Sequence, residues 1–379
     1  MDRRHSRPAE TRAPVIDRQL AARLRRRLLA WFDRCRRDLP WRHTRDPYPI
    51  WVSEVMLQQT QAATVVRFFE RFLDAFPTLA ALAAADEQDV LRQWQGLGYY
   101  RRARDLHRGA RHLAAHHGAR IPDDPELLAG VPGVGRYTLG AVLSQAFDRR
   151  LPILEANSRR VLCRLFGLRE SPDRGHVMRR LWEIAEALLP RRRVGDFNQS
   201  LMELGALICT SVPDCPACPV ADDCVAHRLG LQAQIPARPA RKEPVHVHEV
   251  AVVVHRGRQV LLVQRPEGGR WAGLWEFPRG PVAAAETHEE AAARLVPGLT
   301  GVRTRLGPKL ATLRHSVTHH RIALVCFEAT YRGGTFRPGS YRQGRWAERE
   351  ALAVFPVSAP QRRLIKALAG SKVVNCPAS

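Results

Sequence analysis

The chain has 379 residues, a formal net charge of +23 and a hydrophobic content of 45%. That length suggests two domains, each able to bury its own core, and no stretch has the uncharged apolar run that a membrane span needs. Residues 1–16 carry arginines without an apolar segment behind them, which excludes a secretory signal and reads as a disordered basic arm on a cytoplasmic protein. The charge points to a polyanion, of which nucleic acid is the commonest, although an arginine-rich composition inflates it.

From Arg18, the residues Leu20, Leu24, Leu28, Trp31 and Cys35 recur three or four apart with arginines between them, predicting a helix that stops before Leu39-Pro40-Trp41. A second helix is predicted after Pro49, carrying Trp51 to Leu73. Helical segments continue to Leu207, broken at Gly96-Leu97-Gly98, Ile121-Pro122 and Val131-Pro132-Gly133. Beyond Leu231 the texture changes. Val250–Val254 and Gln259–Gln264 are β-rich runs around a hairpin at Arg256-Gly257-Arg258, Ile322–Tyr331 is a further strand, and Ala359–Ala369 a terminal amphipathic helix. The expected fold class is multi-domain: an all-α domain over 17–230, a linker over 231–246, a mixed α/β domain over 247–370 and a tail over 371–379.

Four of the eight cysteines lie together, Cys209, Cys215, Cys218 and Cys224, spaced C-x5-C-x2-C-x5-C. In a reducing compartment such a cluster is a metal site more readily than a disulfide set, and its spacing alone leaves zinc and iron open. Leu128–Thr138, with its Val131-Pro132-Gly133-Val134-Gly135 turn, allows backbone N–H groups at a helix start to face an anion.

Phe197–Cys209 and the cysteines after it resemble the end of the helix-hairpin-helix iron–sulfur glycosylases. The resemblance implies that the four cysteines hold a [4Fe–4S] cluster, although their first gap is one residue shorter than in that family. It also implies that Gly133, Val134, Gly135 and Arg136 grip a DNA phosphate. Tyr137 stands where lyase-competent relatives carry a Schiff-base lysine, so a step of that kind is not expected.

Trp51–Gln61 is similar to the MutY-type adenine glycosylases in particular, and Val263-Gln264-Arg265-Pro266 with Gly273–Pro278 to the nudix-like domain that ends them. What the resemblance implies is excision of adenine opposite 8-oxoguanine or guanine in double-stranded DNA, by a monomer. Glu54 becomes the acid that protonates the adenine ring, which requires burial to keep its proton. Glu155, where the family has aspartate, takes the carboxylate role beside the cationic sugar, with Asn157 orienting these carboxylates. Trp41, Arg42 and Glu203 form the adenine pocket. Gln58, Gln59 and Tyr99 contact DNA, the last two as residues that fill or wedge the duplex, and the arginines of Arg101–Arg104 contact phosphates. Val317, Thr318 and His319 match the loop that reads 8-oxoguanine, with Val317 and Thr318 in place of the family's Phe and Ser. Nudix hydrolysis is not expected: Gly280, Glu286 and Arg294 keep the motif's spacing, but Leu295-Val296-Pro297-Gly298 stands where its acids belong. The competing readings are an endonuclease III-like glycosylase/lyase and a non-catalytic mismatch-binding protein.

Overall fold

A computed structural model describes residues 16–237 and 243–370. The expected basic arm up to residue 15, the tail 371–379 and the linker residues 238–242 lie outside the described residues. The chain folds into two compact units that do not follow chain order. One joins the segment up to Val55 with Arg120–Ala240, and the other joins Met56–Ala119 with everything from Arg241 onward.

Among the described residues the first unit is helical: α1 (Arg18–Cys35), the start of α2 (Pro47–Leu57), and, after a helical stretch that belongs to the second unit, six more helices. In the second unit that stretch is α3 (Ala62–Ala75), α4 (Leu79–Ala84), α5 (Glu87–Trp94) and α6 (Arg101–His117). The first unit resumes with α7 (Pro125–Ala129), α8 (Arg136–Phe147), α9 (Ala156–Phe166), α10 (Gly175–Leu188) and α11 (Val194–Leu207), then a short α12 (Val225–Arg228). Asp17 starts α1 by accepting from the Leu20 N–H at 2.8 Å. The apolar stripe read from the sequence then meets the core: Leu24, Leu28 and Phe32 are fully buried against Leu162, Leu181, Phe197 and Leu201. Cys35, the last member of that stripe, is exposed.

One predicted helix is wrong in extent. The run from Trp51 to Leu73 is two helices, because α2 stops at Leu57 and α3 starts at Ala62. At the break, Gln59 adopts φ 59°, a left-handed backbone that a continuing helix excludes. No glycine or proline marks the break in Gln58-Gln59-Thr60-Gln61, so local propensity gives no sign of it.

The second unit pairs α3–α6 with a mixed seven-stranded sheet. Its elements are β1 (Val245–Arg256), β2 (Gln259–Gln264), β3 (Trp275–Glu276), β4 (Arg279–Pro281), α13 (His288–Thr300), β5 (Arg303–Val317), β6 (His320–Gly333), β7 (Gln343–Glu348) and α14 (Ala359–Gly370). The central order is β3-β2-β1-β6-β5, with β1 and β6 parallel. The hairpin turns at Gly257-Arg258, between the paired Arg256 and Gln259. Both faces of β1 are covered, which explains its unbroken valine run: Ala251 and Val253 pack toward α14, Val250, Val252 and Val254 toward α13. Helices α5 and α6 are tied to the sheet's loops. Gln88 accepts from the Trp275 indole at 3.0 Å and donates to the Gly273 carbonyl at 3.3 Å, and the Tyr100 hydroxyl donates to the Val357 carbonyl at 3.2 Å.

Candidate active site

Glu54 lies on the inward face of α2 and is 2% exposed. Two residues of α8, two turns apart on one face, close on it: Tyr137 donates its hydroxyl to Oε2 at 2.5 Å, and Gln145 donates Nε2 to Oε1 at 2.7 Å. Burial is the largest influence and raises the carboxyl pKa above its ordinary value. The donors Tyr137 and Gln145 and the charge of Arg42 oppose that rise, while the charge of Glu155 adds to it. Burial and the neighbouring Glu54 push the Tyr137 phenol well above its usual range, so it stays a neutral donor. The site thus holds a carboxylic acid that keeps its proton to higher pH than an exposed glutamate.

Close packing of α8, α9 and α11 brings Glu155 to the same place. A side chain at Gly140 would collide with the Pro152 carbonyl, and one at Gly205 would sit 2.6 Å from Asn157 Cβ, so both positions require glycine for this approach. Glu155 is the N-cap of α9. Its Oε1 accepts from the Ser158 N–H at 2.7 Å and its Oε2 from the Asn157 N–H at 2.8 Å, while Ser158 Oγ accepts from the Glu155 N–H at 2.9 Å. Burial raises the Glu155 pKa, and the two backbone donors oppose it. The longer side chain therefore folds back onto the helix start, where a shorter acid caps most readily. Ser158 completes that cap. Asn157 donates its backbone N–H to Glu155, and its side-chain oxygen accepts from Arg160 at 2.8 Å.

Glu203, also 1% exposed, is saturated by arginine. Arg37 donates its backbone N–H and Nε to Oε1 at 2.8 and 2.9 Å and Nη2 to Oε2 at 2.7 Å, and Arg42 reaches Oε2 at 3.0 Å. Burial alone would raise the Glu203 pKa, but the two arginines hold it at about 2. Arg42 also donates Nε to Gln199 at 2.8 Å, and Trp41 is buried beside it in the chain. Of the three residues assigned to the adenine pocket, Glu203 and Arg42 form a built ion-pair network. The sequence reading did not single out Arg37, Gln145 or Gln199. Only the spacing of Gln145, eight residues after Tyr137, could have found one of them.

The hairpin runs from α7 into α8, with Gly133 at φ 83° and Gly135 as the N-cap of α8. Gly133 and Gly135 are exposed and Val134 half-buried, whereas the Arg136 guanidinium stacks 3.8 Å over Trp182. In the second unit, Gln59 and Tyr99 both occupy left-handed backbone at exposed corners, and Gln58 offers its carbonyl to Arg102. Arg102 itself turns inward and is 8% exposed, which removes it from the arginines expected at phosphates; Arg101 remains outside, pairing with Asp105. Thr318 and His319 form the tight turn between β5 and β6, Thr318 at φ 54° with its hydroxyl donating to the Val317 carbonyl at 2.6 Å.

The four clustered cysteines surround the end of α11 and the start of α12. Burial raises Cys218 to about 12; the Val220 backbone N–H opposes that rise, and the charges of Cys209, Cys224 and Cys215 add to it. Arg164 donates Nη1 to Cys209 Sγ at 3.3 Å, and its carbonyl accepts from Cys224 Sγ at 3.4 Å. Among the described residues, no group of three or more His, Cys, Asp or Glu closes around a single metal ion. In chemistry, though not in closed geometry, four thiol donors beside a guanidinium suit a negatively charged iron–sulfur group. Among the described residues, no helix is long and apolar enough to cross a membrane.

Known proteins resemble both parts of the chain. Residues 52–187 match a family described as HhH-GPD superfamily base excision DNA repair protein, and residues 249–367 match the NUDIX domain. The adenine DNA glycosylase of Rattus norvegicus is 33% identical over 94% of this chain and 80% of its own length. That of Homo sapiens is 33% identical over 93% of this chain and 75% of its own. A thermostable thymine-DNA glycosylase of known structure covers 55% of this chain and 97% of its own, with a TM-score of 0.51 and 30% identity.

Proposed function

The chain belongs to the adenine DNA glycosylase family, and from that premise we propose that it excises adenine opposite 8-oxoguanine or guanine in duplex DNA, as a monofunctional enzyme that leaves an abasic site. The observation that carries this reading is the buried Glu54, held by Tyr137 and Gln145 and feeling the charge of Glu155.

In the proposed step, Glu54 transfers its proton to the adenine ring while the bond from C1′ to the base breaks, and the bonding electrons leave with the base. The carboxylate of Glu155 faces the positive charge that develops on the sugar. Water adds to C1′ and gives up a proton to the ionised Glu54, which restores the acid. Trp41, Arg42 and Glu203 border the adenine, and Glu203 with its two arginines acts as a fixed wall rather than a free ligand.

A lyase step through a Schiff base requires a primary amine near the sugar. Tyr137 is a neutral phenol bonded to Glu54, and the chain has no lysine before Lys242. The whole catalytic unit relies on arginine, which forms no imine under these conditions. Val317, Thr318 and His319 read the opposite base, Gly133–Arg136 and Gln58 hold the backbone, and Gln59 and Tyr99 fill the duplex. Cys209, Cys215, Cys218 and Cys224 would hold a [4Fe–4S] cluster, which supplies a structural clasp at the end of the helical unit. The protein works as a monomer in the cytoplasm, on nucleoid DNA.

Single-turnover assays on duplexes with adenine opposite 8-oxoguanine, guanine and thymine test the proposal. Release from the first two, little from the third, and strand breaks only after alkali treatment are expected. Equal release from all three duplexes would refute the opposite-base reading, and strand breaks without alkali would refute the monofunctional one.

A further inference from the structure

Arg102 occupies the first turn of α6, yet its side chain is buried and carries a charge into the interior of the second unit. Burial lowers its pKa only to about 10, so it remains a cation at neutral pH. Its guanidinium reaches two separate loops. Nη1 donates to the Met56 carbonyl at 2.8 Å and to the Gln58 carbonyl, and Nη2 donates to Thr60 Oγ1 at 3.2 Å, all at the α2–α3 break. On the other side Nη2 faces the Gly98 carbonyl at 3.3 Å and the Leu97 carbonyl at 3.5 Å, in the loop between α5 and α6. The guanidinium carbon lies 5.5 Å from the Trp94 ring centroid and 5.3 Å from that of Tyr99.

These two loops present the non-glycine residues Gln59 and Tyr99, each in left-handed backbone and each exposed, Tyr99 at 51%. Left-handed backbone in such residues persists only where surrounding groups over-determine it. A planar fork with fixed donors can bridge carbonyls of two loops at once, whereas an ammonium is a single point charge. We infer that Arg102 is a positioning residue that locks the Gln59 and Tyr99 corners in register with each other, so that base extrusion depends on it although it does not itself meet DNA. This rests on the reading of Gln59 and Tyr99 as duplex-filling residues.

The test is Arg102→Lys in the full chain, compared with Tyr99→Ala and with the wild type. Extrusion is read from the fluorescence of 2-aminopurine beside the target adenine, and chemistry from single-turnover release. Two duplexes are used, one with adenine opposite 8-oxoguanine and one with adenine opposite an abasic analogue, where no partner base has to be replaced. A misplacement of about 1 Å can cost on the order of a hundredfold, so Arg102→Lys should lose roughly tenfold to a hundredfold on the paired duplex and little on the unpaired one. A purely structural role would depress both duplexes together, and that outcome overturns the inference. So does wild-type extrusion by Arg102→Lys when Tyr99→Ala is impaired, which removes the assignment to Arg102 alone. Wild-type extrusion by Tyr99→Ala would instead remove the duplex-filling reading, and the inference with it.

Discussion

Replacing Tyr137 by phenylalanine isolates one hydrogen bond at the centre of the site. The hydroxyl donates to Glu54 Oε2 at 2.5 Å, and Gln145 donates to the other oxygen at 2.7 Å. A donor favours the ionised carboxylate, so its removal shifts Glu54 further toward the protonated form. A hydrogen bond to a charged group is worth ~1.5–3 kcal/mol, or about tenfold to a hundredfold in the protonation equilibrium. An acid catalyst must carry its proton, so the rate falls as pH rises through the Glu54 pKa. In Tyr137→Phe that fall should begin at higher pH, with the low-pH plateau retained. Single-turnover adenine release across a pH series reads both features. A falling limb that stays in place or moves to lower pH would refute the assignment of Tyr137 as a donor to the catalytic acid.

Four further variants test the same geometry. Glu155→Gln keeps an acceptor for the α9 cap but loses the charge; the rate should drop about a hundredfold or more while stability changes by no more than about 1 kcal/mol, measured by urea unfolding. Glu155→Asp should keep most of the activity, because the backbone donors of Asn157 and Ser158 fix either carboxylate. Arg37→Ala should destabilise the first unit by about 1–2 kcal/mol at neutral pH, less than a fully buried pair costs, since Arg42 remains and Arg37 is 39% exposed on its side chain. The depressed Glu203 pKa contributes stability above its ordinary 4.5 that is lost as pH falls toward about 2, so the acid loss over that window should be shallower in Arg37→Ala. Cys218→Ser should lower iron and sulfide in anaerobically purified protein, and zinc in the wild type would contradict the cluster.

The sequence carried the covered strands, the terminal helix and the cysteine cluster, because each is a local pattern of period, punctuation or spacing. Val250–Val254 reads as a strand and lies within β1, where the fold buries it on both faces. The break after Leu57 was not legible, since what supports it is Arg102, far along the chain and buried against it. Arg102 also shows the limit of reading charge as surface: in an arginine-rich run, only the fold distinguishes a phosphate contact from a buried bridge. The burial of Glu54 was an expectation of the resemblance, but its partner Gln145 was not foreseen, being an ordinary polar residue until α8 turns it inward. The grouping of α3–α6 with the sheet likewise depends on long-range contacts such as Gln88 with Trp275, which no periodicity announces.

The central claim is that Glu54 delivers the proton that frees adenine. Its most direct test is chromatographic detection of free adenine from a duplex with adenine opposite 8-oxoguanine, for the wild type and for Glu54→Gln, with binding to the same duplex measured in parallel. Rapid release by the wild type is expected, and intact binding without release by the variant. Release by Glu54→Gln at the wild-type rate would contradict it.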